Sequence, residues 1–208
     1  IDSFGPFILE GSRPGAAATA LWLATRMAPL SRSGHGSIVR ASLLAAQELF
    51  VRLQRWNQLH DRSSEGIDYE LIPLPEGPPD TNLVTFVVKK KGRNSLAHLN
   101  RLTHGVYQRF TIQSELGATE YSYSQPFFLS KTIFTARIYD PDCLADVFRR
   151  AQLAPEARTE FRQLGLVVLR AAVMNPYLTP MRELRGQSLI QQFVRELGQA
   201  AEEVLREE

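Results

Sequence analysis

The sequence holds one cysteine, Cys143, in 208 residues. That excludes an internal disulfide framework and makes a reducing, cytoplasmic setting the expectation. No uninterrupted apolar run reaches the ~18 residues a spanning helix needs, so no membrane partner is expected. Charge of one sign is scarce as well. The net charge is +2, which leaves no electrostatic demand for nucleic acid or an anionic surface. The densest basic run, Lys89-Lys90-Lys91, stands before Gly92 and reads as a solvated turn. The start, Ile1-Asp2-Ser3-Phe4-Gly5-Pro6, has no basic stretch followed by an apolar one, so it is not a signal peptide. It does not open on methionine either, and the natural beginning is expected upstream.

The usual catalytic signatures are missing too. There is no G-x-S-x-G, no Walker loop, no G-x-G-x-x-G and no H-E-x-x-H. Of His35, His60, His98 and His104, only the last two fall near each other. Six residues turn a helix through about 600°, which sets them on opposite sides and argues against a metal site. Cys143 falls in the first turn of an expected helix, where a thiolate could be stabilised; the simpler reading is a small, semi-buried residue.

What is present reads as an ordered series of elements. A helix is expected from Pro14 to Met27, alanine-rich and apolar nearly all round, hence buried. Pro29 ends it. A second helix runs from Ser37 to Trp56 with a stripe of Val39, Leu43, Ala46, Phe50 and Leu53. Asn57 to Gly66 form a polar linker. Strands follow at Tyr69–Ile72 and Leu83–Val88, then a helix capped at Asn94 or Ser95 with Leu96, Leu99, Leu102, Val106 and Phe110 on one side. The β-prone run Phe127 to Ile138, a helix from Asp140-Pro141, a buried strand Leu166 to Met174, and a last helix opened by the capping box Ser188-Leu189-Ile190-Gln191 complete the series. Residues 1–57 therefore read as the helical end of a larger body. Residues 67–208 read as an α+β domain whose antiparallel sheet is covered by helices.

Two places carry candidate chemistry. Glu10-Gly11-Ser12-Arg13-Pro14-Gly15 puts a small hydroxyl beside glycine at a helix start, where free amides and the dipole favour a phosphate. Ser12 as a plain helix cap is the competing reading. Arg170 stands inside Leu166-Val167-Val168-Leu169-Arg170-Ala171-Ala172-Val173-Met174. A guanidinium there is costly without a partner, and its planar fork matches a carboxylate. A structural ion pair at a strand edge is the alternative.

These segments, taken in order, resemble the C-terminal part of the group II pyridoxal-phosphate-dependent amino-acid decarboxylases, and within them the bacterial tyrosine-type enzymes. The resemblance runs through Gly5-Pro6-Phe7-Ile8-Leu9-Glu10-Gly11-Ser12-Arg13-Pro14-Gly15 and Asn82-Leu83-Val84-Thr85-Phe86. It continues in Leu99-Asn100-Arg101-Leu102, Val106-Tyr107, Phe128-Leu129-Ser130-Lys131-Thr132 and Val168-Leu169-Arg170-Ala171-Ala172-Val173-Met174-Asn175-Pro176. It implies an α/β architecture: the end of a fold type I transferase large domain, followed by an α+β small domain with an antiparallel sheet.

The resemblance further implies that Gly11 and Ser12 reach the phosphate of pyridoxal 5'-phosphate across a homodimer interface. It sets Arg170 near the α-carboxylate of a small amino-acid substrate and Ser130 near that substrate's side chain. It also implies loss of CO2 to give an amine, from a tyrosine, other aromatic or glutamate substrate. The sequence departs from the family in one respect. Its lysines are Lys89, Lys90, Lys91 and Lys131; none follows a histidine and none precedes Gly11. The Schiff-base lysine is therefore expected in an upstream part of the same enzyme, leaving this segment inactive alone. The rival expectation is a non-catalytic interaction or dimerisation module derived from such an enzyme.

Overall fold

A computed structural model describes residues 15–60, 68–74, 76–92, 94–111, 126–178 and 186–207. The chain divides into two compact units, Ile1–Arg40 and Ala41–Glu208. In the first, α1 (Gly15–Met27) forms where its alanine-rich sequence requires and ends before Pro29. It was expected to be buried, yet none of its residues is; Leu21, Trp22 and Leu23 are all exposed. All-round apolarity states only that a helix gains by being covered. It does not supply the cover.

The helix α2 (His35–His60) begins in the first unit and continues into the second. By compactness the chain parts at Arg40, inside this helix. The reason is packing. Ala45, Ala46, Leu49, Phe50 and Leu53 of α2 are buried in the same core as the sheet, while Val39, expected on the buried stripe, is exposed.

The sheet has four strands, β1 (Tyr69–Pro73), β2 (Leu83–Lys90), β3 (Ser130–Phe134) and β4 (Leu166–Ala172), in the order β1-β2-β4-β3. Every adjacent pair is antiparallel. Between β2 and β3 lies α3 (Leu96–Arg109), capped by Ser95, whose side chain accepts from the His98 amide. Asp140 caps a short 3-10 turn, Pro141–Leu144, which leads into α4 (Ala145–Arg150). A further helix, α5 (Ala157–Leu164), was not anticipated; it buries only Ala157 and Phe161, one turn apart. The last helix, α6 (Leu189–Arg206), opens on the expected capping box, Ser188 with Gln191.

Strand alternation divides the apolar side chains between two cores. Leu71, Val84, Phe86, Val88, Leu169 and Ala171 pack with α2, α6 and the later part of α3. Ile72, Val87, Leu166 and Val168 pack with Leu96, Leu99, Val147, Phe148 and Phe161.

Two strands of the sheet are held apart by side chains of α3. The β2–β4 ladder runs from Leu83↔Ala172 to Phe86↔Leu169. The same register would next oppose Val87 to Val168 and then Val88 to Val167. Instead the Thr103 hydroxyl accepts from the Val88 amide at 3.2 Å and donates to its carbonyl at 3.0 Å. Asn100 accepts from the Val167 amide and donates to the Gly165 carbonyl, both at 2.8 Å. Backbone groups that would be orphaned in the interior thus find partners.

Lys89 departs from the reading of a solvated basic turn. It lies in β2 opposite Glu70, its side chain is 0% exposed, and its Nζ stands 2.9 Å from Glu70 Oε2. It also donates to Gln152 Oε1 at 3.2 Å. The run of three lysines is therefore split by strand geometry, with Lys89 inward and Lys90 outward. Cys143, expected to be semi-buried, is exposed. No helix among the described residues is long and apolar enough to cross a membrane.

Candidate functional site

Arg170 does not sit at a strand edge. Its strand, β4, lies between β2 and β3, and Arg170 is opposed by Thr85 on one side and Ser130 on the other. Directly opposed residues share a face, so Thr85, Arg170 and Ser130 form one polar row across three strands. All three are half-buried. The row lies on the face that carries Val87 and Val168, beyond the cover of α4 and α5; its neighbours Leu83 and Ala172 are exposed.

Ser130 and Arg170, expected as site residues on separate segments, are in direct contact. Arg170 Nε donates to Ser130 Oγ at 3.1 Å. The Ser130 hydroxyl in turn donates to the Arg170 carbonyl at 3.3 Å. Among the described residues no carboxylate forms an ion pair with Arg170. Among the described residues the guanidinium is tied at Nε only, which leaves its two outer nitrogens for an anion.

At the end of β4 a cleft of about 490 Å³ opens, lined by Phe127, Phe128, Leu129, Ala172, Met174 and Phe193 among others. Phe193 meets Phe127 edge-on, with ring centroids 5.3 Å apart. The cleft is mostly apolar, as small-molecule sites are. Nothing in the linear sequence marked it, because its walls come from four separated segments.

Lys131 points away from the polar row, as the strand period requires. Its Nζ lies 3.1 Å from His104 Nδ1 and 4.6 Å from the centre of the Tyr107 ring. An ammonium can only donate, so His104 accepts at Nδ1 and is neutral in this arrangement. Burial first, and then the Lys131 charge, hold the His104 pKa below its ordinary value. His98 is engaged elsewhere, with Asn94 Oδ1 at 3.1 Å, so the two histidines are separated as their spacing indicated. Among the described residues no group of three or more His, Cys, Asp or Glu could hold a metal ion.

Gly11 and Ser12 lie outside the described residues. Of the lysines, Lys89 is buried against Glu70, Lys131 is engaged with His104, and Lys90 and Lys91 precede the turn at Gly92.

Residues 54–205 match the family model described as tyrosine decarboxylase, C-terminal. The chain is 34% identical over 206 residues to the L-tyrosine decarboxylase of Enterococcus faecium, covering 99% of this chain and 30% of that protein. It is 31% identical over 181 residues to the L-tyrosine decarboxylase of Enterococcus faecalis (strain ATCC 700802 / V583), covering 86% of this chain and 27% of that protein. The enzyme of the same name from Levilactobacillus brevis is 31% identical over 176 residues, 84% of this chain and 26% of that protein. The chain thus spans under a third of the length of these relatives.

Proposed function

The chain belongs to the tyrosine decarboxylase C-terminal family, and on that premise we propose that it is the C-terminal part of a pyridoxal-phosphate-dependent L-amino-acid decarboxylase, in which Arg170 binds the substrate's α-carboxylate. The observation that carries this reading is a half-buried arginine in the middle of a sheet with its outer nitrogens unpaired among the described residues. Such a charge is costly in a purely structural role and useful in front of an anion.

In this reading the two outer nitrogens of Arg170 grip both carboxylate oxygens. Ser130 fixes the direction of the fork by holding Nε. The relatives bear the name L-tyrosine decarboxylase, which favours a tyrosine-like substrate over glutamate. The bound cofactor would take up the electron pair left on the α-carbon when the carbon–carbon bond breaks and CO2 departs. The lysine that anchors it, and the body of a fold type I large domain, belong to upstream sequence in this proposal. Gly11 and Ser12 would meet the cofactor phosphate of a second subunit in a homodimer, in the cytoplasm.

The test is Arg170→Lys and Arg170→Met in the enzyme with its upstream sequence in place. Lysine keeps the charge and loses the two-pronged geometry, so both should lower kcat/KM by ~30- to 1,000-fold, or about 2–4 kcal/mol. Melting temperature should change little. Normal decarboxylation with a much lower melting temperature would make Arg170 a structural residue and end this reading.

One observation favours a second reading. The α1 helix presents Leu21, Trp22 and Leu23 uncovered, as an interaction or dimerisation module would. An upstream coding sequence with an in-frame histidine–lysine pair supports the enzyme; a start codon immediately before Ile1 supports the module.

A further inference from the structure

We infer that Thr85 is a second anion-binding donor, giving its hydroxyl hydrogen to the same carboxylate that Arg170 grips. The inference rests on the proposed reading of Arg170 and adds a residue to it. It comes from an accounting of hydrogens along the polar row. A serine hydroxyl has one hydrogen to give. In Ser130 that hydrogen is directed at the Arg170 carbonyl, 3.3 Å away, while the oxygen accepts from Arg170 Nε at 3.1 Å. Ser130 in this arrangement has nothing to donate to a ligand. It is a positioning residue.

Thr85 is placed in the opposite way. It flanks Arg170 from β2, at the ~5 Å separation of opposed residues in an antiparallel pair. Its backbone is held on both sides. β4 pairs with it, and its carbonyl accepts from the Leu74 amide at 2.9 Å. Among the described residues its hydroxyl has no hydrogen-bond partner, although the side chain is half-buried. A fixed, unspent hydroxyl beside an unpaired guanidinium edge suits an anion with two oxygens. The fork of Arg170 engages both oxygens, and Thr85 adds a donor from the side of the row that Ser130 does not occupy. The exposed neighbours Leu83 and Ala172 leave this part of the face open to a ligand.

The test uses the enzyme with its upstream sequence in place and three variants: Thr85→Val, Thr85→Ser and Arg170→Met. Valine preserves the β-branched shape and the strand preference. Losing a hydrogen bond to a charged group should raise KM for the amino acid about 10- to 100-fold, with kcat changed by less than about threefold. Thr85→Ser should restore KM. The product amine, which lacks the carboxylate, should inhibit Thr85→Val and the parent enzyme equally well.

An unchanged KM in Thr85→Val, with a raised KM in Arg170→Met, would overturn the role of Thr85 and leave that of Arg170 standing. A normal KM in both would overturn the Arg170 reading and this inference with it. A parallel loss of amine binding in Thr85→Val would show a change in site shape and would also overturn the role of Thr85.

Discussion

Glu70 and Lys89 face each other across the β1–β2 pair, with Glu70 Oε2 2.9 Å from a Lys89 Nζ that water does not reach. The pair is asymmetric, since the Glu70 side chain is 28% exposed and that of Lys89 0%. Removing each partner should therefore cost different amounts. Among the described residues, Glu70→Ala leaves the buried ammonium with only Gln152 Oε1 at 3.2 Å and the Gly92 carbonyl at 3.5 Å. That should cost about 3–5 kcal/mol. Lys89→Met leaves a carboxylate that can turn to water and a methionine that fills most of the space, at under ~1.5 kcal/mol. Urea denaturation of the two variants measures the order, and equal losses would refute it.

The wedge of Asn100 and Thr103 between β2 and β4 should be detectable residue by residue. Thr103→Val keeps the shape and strands the amide and carbonyl of Val88. Asn100→Leu strands the Val167 amide and the Gly165 carbonyl. Each should cost about 1–3 kcal/mol. Amide hydrogen exchange provides the specific signature. Val88 should lose protection most in the first variant and Val167 most in the second. Uniform loss in both would mean that the strands simply part.

His104 should titrate below the ordinary histidine range. Burial and then Lys131 depress its pKa, so the folded state binds a proton less readily than the unfolded chain. As pH falls through the unfolded value of ~6.5 toward the lowered folded value, the unfolded state takes up the proton first and stability declines. The stabilising contribution is complete above that window and is lost on descending through it. A titration of the imidazole resonances by NMR should give His104 a midpoint below ~6.5. Lys131→Met should move that midpoint upward. No movement would exclude a charge effect from Lys131.

Much of the architecture is local in origin and legible in the chain. The Ser188–Gln191 capping box, the stop at Pro29, the strand β2 and the α3 cap at Ser95, one of its two candidates, follow from backbone chemistry within a few residues. The departures have different causes. Lys89 was grouped with its neighbours as solvent-facing, although strand period turns it inward and Glu70 receives it. The α1 helix was expected to be buried because it is apolar, although burial needs a second surface. The α5 helix leaves little trace in the sequence, because two buried residues one turn apart make a weak periodic signal.

Of the candidate site, the sequence determined the identities. An arginine inside an aliphatic run is anomalous on grounds of solvation alone, and the family resemblance implies a carboxylate for Arg170 and a place beside the substrate for Ser130. Tertiary structure decided what those residues are to one another. Register across β2, β4 and β3 brings Thr85, Arg170 and Ser130 into one row, although 45 residues separate Thr85 from Ser130 and 40 more separate Ser130 from Arg170. Which hydroxyl is spent and which is free is likewise a matter of hydrogen-bond geometry between strands. A linear chain encodes side-chain chemistry and local period; pairing between distant strands is fixed only when the cores on both faces of the sheet close and set the register.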